Sequence, residues 1–326
     1  MKLVVVVCLA ALFAGGALAQ ETGPDEVVKV RTTLVNVPVI VSDRQGRYIP
    51  NLKVEDFALW QDGAPQAISF FAAEEEPLNV ALLLDTSKSA RDVLGKIKDA
   101  AKDFIKQLQP ADRATVVSFD YEVTVLSPLT NDRKALEKAI KGAKIGEYVG
   151  TVMRDSVRET IAQLFAGVKG RKAVILLTDG KDHGSYVSKP GLLNMLEESD
   201  TLVYSVLYTT KPGALRFDNR RLFGGVLGRR RGPNPDIIAR RRQEMDEDAA
   251  EYLTAMSELT AGRFYRREVT DLKQTFALIA DELRKQYRLG YYPTNQAAGE
   301  AVHQIKVRVA QPDAAVRARA TYRTKS

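Results

Sequence analysis

The chain has 326 residues, with 48 Lys and Arg against 41 Asp and Glu, a formal net charge of +7 and a single Cys. One cysteine excludes a disulfide framework, so stability has to come from core burial, and the length suffices for one large domain and a small one. The basic excess is modest, and after the first residues no apolar run is long enough to cross a membrane.

Residues 1–19, MKLVVVVCLAALFAGGALA, combine Lys2, an apolar core from Leu3 to Phe13 and the small-residue end Ala17-Leu18-Ala19. This is the layout of a secretory signal peptide cut after Ala19, with a core too short for a membrane anchor. Cys8 follows Val7 inside that core, so it does not mark a lipoprotein, and it leaves with the signal. The expected mature chain is exported, periplasmic or secreted, and free of thiols. Losing Lys2 lowers its net charge by one, from +7 to +6.

Residues 27–76 read as a β segment. Val35, Val37, Val39 and Val41 share one face, "DRQGR" supplies a turn, and "DFALWQDGAPQAISFF" predicts a hairpin around Asp62-Gly63. An acidic linker, Glu74-Glu75-Glu76-Pro77, follows. Over 78–286 the pattern changes to buried strands, "NVALLLD", "RATVVSFD", "KAVILLTD" and "TLVYSVLY", alternating with helices such as the one carrying Leu94, Ile97, Ala101, Phe104, Ile105 and Leu108. That alternation predicts an α/β fold, a Rossmann-like, doubly wound, mainly parallel sheet covered on both faces. Within it, 211–245 reads as a long loop without a period, and nine arginines fall between Arg216 and Arg242. The tail, 287–323, returns to period two, with Ile305, Val307 and Val309 and then Val316, Ala318, Ala320 and Tyr322. Neither terminal β segment can easily bury a core alone. The expectation is therefore one small β-sandwich built from both ends, with the α/β domain inserted; two strands packed on the α/β edge are the alternative.

In open α/β sheets, ligands bind beyond the carboxyl ends of the strands. Asp85 ends "VALLL", Asp179 ends "AVILL" with one intervening Thr, and Thr151 follows the loop "KIGEYVG". With Ser87 and Ser89, these residues could meet at one rim. Singly they are ordinary: Ser and Thr are preferred helix caps, and "TDG" is a common turn. Together, five hard oxygen ligands without His or Cys suit Mg²⁺ in the first place, with Ca²⁺ or Mn²⁺ possible, rather than zinc or copper.

The stretches "LLLDTSKS", "GTVMRD" and "ILLTDG" resemble, in order and separation, the von Willebrand factor A (vWA) domain, over roughly residues 78–286. The resemblance implies a metal-ion-dependent adhesion site. In it Ser87, Ser89 and Thr151 ligate the cation, and Asp85 and Asp179 act largely through water. The flanks "VNVPVIVSDRQGRYIPNLKVEDFALWQDG" and "QYRLGYYPTN…HQIKVRV" look like those of bacterial vWFA-related exported proteins. Thr86 and Lys88 stand where such sites often carry Gly, and Lys88 is expected to point into water.

Hydroxyl ligands leave a cation electrophilic, ready for an external oxygen. The expected function is therefore metal-dependent binding of a protein partner that supplies an Asp or Glu carboxylate, without catalysis. Two alternatives stand beside it. The ion could be structural, with binding through the β module or the basic loop, or the chain could be a Mg²⁺-dependent phosphatase. The second wants a carboxylate two residues after the nucleophilic Asp, where this chain has Ser87. His183 reads as a polar loop residue and His303 as structural. Lys306, Arg308, Arg317, Arg319 and Arg323 are expected to share one solvated sheet face. For the Arg-rich loop, an anionic envelope polymer, lipid headgroups or an acidic protein are conceivable partners, and nucleic acid is not expected for an exported chain.

Overall fold

The computed structural model describes residues 34–45, 47–73, 76–209, 235–294 and 301–324. The expected signal peptide and most of the Arg-rich loop lie outside them. The valine alternation forms β1 (Val35–Ser42). The hairpin forms as β2 (Phe57–Gln61) and β3 (Ala64–Gln66), with Asp62 (φ 50°) and Gly63 (φ 82°) both left-handed at the turn. Such a pair suits a type I′ turn, which follows the twist of the strands. After β4 (Ile68–Ala73) the chain enters the α/β portion.

All eight residues of β5 (Leu78–Asp85) are buried, as a strand covered on both faces requires. It is joined by β6 (Arg113–Phe119), β7 (Val123–Thr130), β8 (Arg171–Thr178), β9 (Leu202–Thr209) and β10 (Phe264–Glu268). The order is β10-β9-β8-β5-β6-β7, parallel throughout except for antiparallel β7. Helices α1 (Leu94–Gln107), α2 (Arg133–Gly142), α3 (Met153–Glu159), α4 (Lys189–Glu198), α5 (Pro235–Leu259) and α6 (Leu272–Arg284) cover it. Alternate strand residues serve opposite faces. Val80, Leu82 and Leu84 pack with α1, α2 and α6, where Phe104 and Phe276 meet at 5.5 Å. Ala81 and Leu83 pack with α3, α4 and α5. The chain leaves β5 toward β6 on one side and leaves β8 toward β9 on the other. The adjacent carboxyl ends of β5 and β8 therefore form the switch point.

Strands β11 (Tyr287–Tyr291), β12 (Val302–Val309), β13 (Ala315–Ala318) and β14 (Thr321–Arg323) complete the molecule. With the N-terminal strands they make two antiparallel sheets, β13-β1-β11-β4 and β14-β12-β2-β3. Both sheets contribute to one core: Val37, Val39, Tyr287, Leu289 and Tyr291 from the first, Phe57, Leu59 and Ile305 from the second.

Two sequence expectations are corrected. The tail does not run as one strand from Val316 to Tyr322: β13 pairs with β1 and β14 with β12, so the chain changes sheet at Arg319-Ala320. The five basic residues consequently do not share a face. Arg317 pairs with Glu282, Arg323 Nη2 lies 2.9 Å from Glu197 Oε2, and buried Arg319 donates to the carbonyls of Ser199, Glu197 and Thr321. Lys306 and Arg308 are exposed, with the Arg308 guanidinium over the Trp60 ring. The other correction concerns 235–245, which belongs to α5 rather than to a loop. Arg240 to Glu244 (3.0 Å) and Gln243 to Glu247 (2.8 Å) link successive turns there, support that an apolar-period reading does not register. Among the described residues no helix is long and apolar enough to cross a membrane.

Candidate functional site

Asp85 is completely buried at the end of β5. Its carboxylate accepts from Ser87 N (2.9 Å), Thr178 Oγ1 (3.3 Å) and Asp179 N (3.4 Å). No basic side chain pairs with it among the described residues. Burial first, and then the nearby Asp179 carboxylate, hold its pKa well above the usual carboxylate range, while the donated hydrogen bonds pull it back. Tyr208 ends in the same field. Its hydroxyl is buried without a hydrogen-bond partner among the described residues, and its pKa is raised by burial and then by Asp85 and Asp179.

The hydroxyls do not serve as caps. Ser87 precedes a short 3₁₀ turn, Lys88–Ala90, whose amides its hydroxyl does not bond, and α1 starts only at Leu94. Ser87 Oγ and Ser89 Oγ instead lie 3.0 Å apart. Thr151 is buried one residue ahead of the α3 N-cap, Val152, which has no side-chain cap either. Asp179 is partly accounted for by its turn, since Oδ1 accepts from Lys181 N at 3.2 Å.

Four loops are fastened together at this end of the sheet. Gly146 N donates to Thr86 O (2.9 Å), Val152 N to Asp120 O (2.8 Å) and His183 N to Thr151 O (2.9 Å). Thr86 Oγ1 reaches Asp120 Oδ2 at 2.8 Å, which gives Thr86 a role that Gly could not fill. Asp182 accepts from Arg154 N (2.8 Å), and Asp155 accepts from the amides of Tyr186 and Val187 (2.8 and 3.0 Å). The structure thus ties together the segments carrying all five sequence-predicted residues. Lys88 is exposed. His183 takes part through its backbone, its side chain lying at the surface. His303 sits in the sandwich, 2.7 Å from Asp62.

Sequence reasoning passed over several residues here. Asp120 ends "VVSFD" as Asp85 ends "VALLL", so the signal was present. Asp155 closes the motif "GTVMRD" and Asp182 stands two residues after "ILLTDG", and neither was singled out. Lys181, with Nζ 2.5 Å from Asp179 Oδ2, has no sequence signature, because an i,i+2 pair depends on how the loop bends. Tyr121, Tyr148 and Val149 are exposed on these loops, and Tyr186 is 96% exposed.

The donor set fits a hard divalent cation: a serine pair at hydroxyl contact and, among the described residues, a buried carboxylate without a counter-charge and a phenol without a partner. Among the described residues no cluster of three His, Cys, Asp or Glu offers an alternative metal centre.

The model of the von Willebrand factor type A domain matches residues 79–211. An uncharacterized protein of Synechocystis sp. is 32% identical over 113 residues, 33% of this chain and 26% of that protein. The chain therefore spans about a quarter of that relative's length. Among solved structures, a von Willebrand factor type A protein from Catenulispora acidiphila is 14% identical, with a TM-score of 0.47 over 82% of this chain and 73% of its own. BatB from Bacteroides thetaiotaomicron is 17% identical, with a TM-score of 0.45 over 64% and 98%. Proximal thread matrix protein 1 of the mussel byssus, solved with a zinc-occupied metal-ion-dependent adhesion motif, is 15% identical, with a TM-score of 0.49 over 67% and 49%. The chain carries a von Willebrand factor type A domain, matched over residues 79–211.

Proposed function

We propose that this protein is an exported, non-enzymatic interaction module whose Asp85, Ser87, Ser89, Thr151 and Asp179 hold a divalent cation, Mg²⁺ in the first place. The observation that carries this reading is the buried Asp85, repelled by Asp179 and without a cationic partner among the described residues. A folded chain keeps such a group unpaired only at a cost, and a bound cation removes it. The ion supplies an electrophilic position for an external carboxylate, here an Asp or Glu side chain of a protein partner. Ser87 and Ser89 would ligate through neutral oxygens, while Asp85 and Asp179 hold the charge close by.

The purely structural alternative has less support. Loops that an ion could tie together are already joined by Gly146–Thr86, Val152–Asp120 and His183–Thr151. The test is thermal melting against Mg²⁺ and Mn²⁺, with a pull-down from envelope extract with and without EDTA. The wild-type melting temperature should climb with cation concentration, as linkage requires, and Ser87→Ala should lose that response. An EDTA-sensitive partner lost in Ser87→Ala supports the interaction role. A partner retained in EDTA moves binding to the β module or the basic segment, and the absence of any cation response overturns the site.

A further inference from the structure

Helix α5 carries Met245, Ala249, Tyr252 and Met256 at spacings of four, three and four, one side of an amphipathic helix. Tyr252 and Met256 are buried, yet Met245 is 54% exposed. The apolar stripe therefore continues past the domain it packs on. Between it, buried Met153 and the loop after β8 lies a cleft of about 450 Å³, and Asp179 and Lys181 belong both to its wall and to the rim of the cation site.

The charges around this cleft are largely matched among themselves. Lys189 pairs with Asp248 at 2.7 Å, Arg154 with Asp182 at 3.4 Å and Lys181 with Asp179 at 2.5 Å. Arg241 and Asp246 add one charge of each sign, so the described lining residues are neutral in sum. A polar occupant would have to disrupt these pairs, whereas an apolar one gains the methionine and tyrosine surface.

We propose that this cleft is a second subsite of the same interaction surface, receiving a large apolar side chain, Leu, Met or Phe, from the protein segment whose carboxylate reaches the ion. The inference rests on the metal-dependent reading above and narrows the partner to an acidic residue with an apolar neighbour. A protein segment is favoured over an acidic polysaccharide, whose hydroxyls would find the cleft's polar groups already engaged.

The test is peptide display against the full chain in Mg²⁺, repeated with Met245→Glu, with Ser87→Ala and in EDTA. Met245 is exposed, so its variant should keep the wild-type melting temperature and Mn²⁺ binding. Wild type should enrich peptides pairing an acidic with an apolar residue. Met245→Glu should keep the acidic preference, lose the apolar one and bind the best synthetic peptide about tenfold more weakly. Ser87→Ala and EDTA should abolish both preferences. Acidic enrichment without an apolar preference, or an unchanged selection by Met245→Glu, overturns the subsite and leaves the metal reading standing. Selection unaffected by EDTA and Ser87→Ala overturns that reading and the subsite with it. Failure to enrich any peptide, with or without Mg²⁺-dependent binding of alginate, also overturns the proposal.

Discussion

Asp85 shows how one residue can be costly to the fold and useful to the site. Its carboxylate is buried beside Asp179, and both circumstances penalise the charged form. Asp85→Asn should therefore raise the cation-free stability, by about 0.5–2 kcal/mol as function-relieving substitutions commonly do. It should also remove the melting response to Mg²⁺; calorimetry in EDTA and in Mg²⁺ separates the two effects. Asp62 behaves in the opposite sense. His303 above all, and then Gln304 N, hold its pKa below the ordinary carboxylate value. A lowered folded-state pKa contributes stability that is present above the unfolded value and lost as pH falls through the folded one. Asp62→Asn should accordingly flatten the loss of stability in acid below about pH 4, measured by urea melts across pH. These two aspartates were not equally legible. Asp85 ends an apolar strand and precedes alternating hydroxyls, a local signal. The Asp62–His303 contact joins residues 241 positions apart, and nothing in either neighbourhood announces it.

At the scale of elements, what could be read was what repeats. The runs of β5, β6, β8 and β9 are largely apolar, and their parallel direction follows from the helices between them. Strand β7 alternates weakly on the sheet edge, and β10, "FYRRE", exposes its last three residues, so neither stood out. The first half of α5 lacked an apolar period because its turns are linked by polar i,i+4 pairs. Period two ran unbroken from Val316 to Tyr322, yet the chain leaves one sheet for the other between β13 and β14. A pattern of alternation records which side chains point inward and is silent about which sheet they line. The join from α5 to β10 rests on another feature without periodicity, the close approach of Gly262 to β9. A Cβ there would collide with the backbone carbonyl of Val203. Because backbone cannot swing aside as a flexible side chain can, Gly262→Ala should cost about 1–3 kcal/mol, seen as a lower denaturation midpoint with an unchanged slope.

The whole molecule is held at two kinds of junction. Where the chain enters and leaves the α/β portion, β4 and β11 are paired, Ala73 opposite Tyr287, and Arg288 joins Glu76 at 2.5 Å. Farther away, Arg317 and Arg323 engage Glu282 and Glu197, and Arg319 spends its guanidinium on carbonyls of the α/β portion and its own turn. Burial draws the Arg319 pKa down to about 10 against the pull of Asp200, Tyr291 and Glu197, and the carbonyl bonds satisfy the donors that burial takes from water. Arg319→Ala leaves buried acceptors unpaired and should destabilise the full chain by about 1–3 kcal/mol. Paired entry and exit strands are what an inserted domain needs, since its two ends must lie side by side. We propose that residues 78–286 are such a domain and fold alone. Both faces of its sheet are covered by its own helices, and the segments bearing Asp85, Ser87, Ser89, Thr151 and Asp179 all lie within it. Expressed separately, 78–286 should melt cooperatively, at a lower temperature than the full chain because the arginine contacts are gone. It should keep the full chain's response to Mg²⁺. A molten or aggregated product would show that the β module is part of the domain's folding unit. A folded product without the cation response would show instead that the β module shapes the site across the junction.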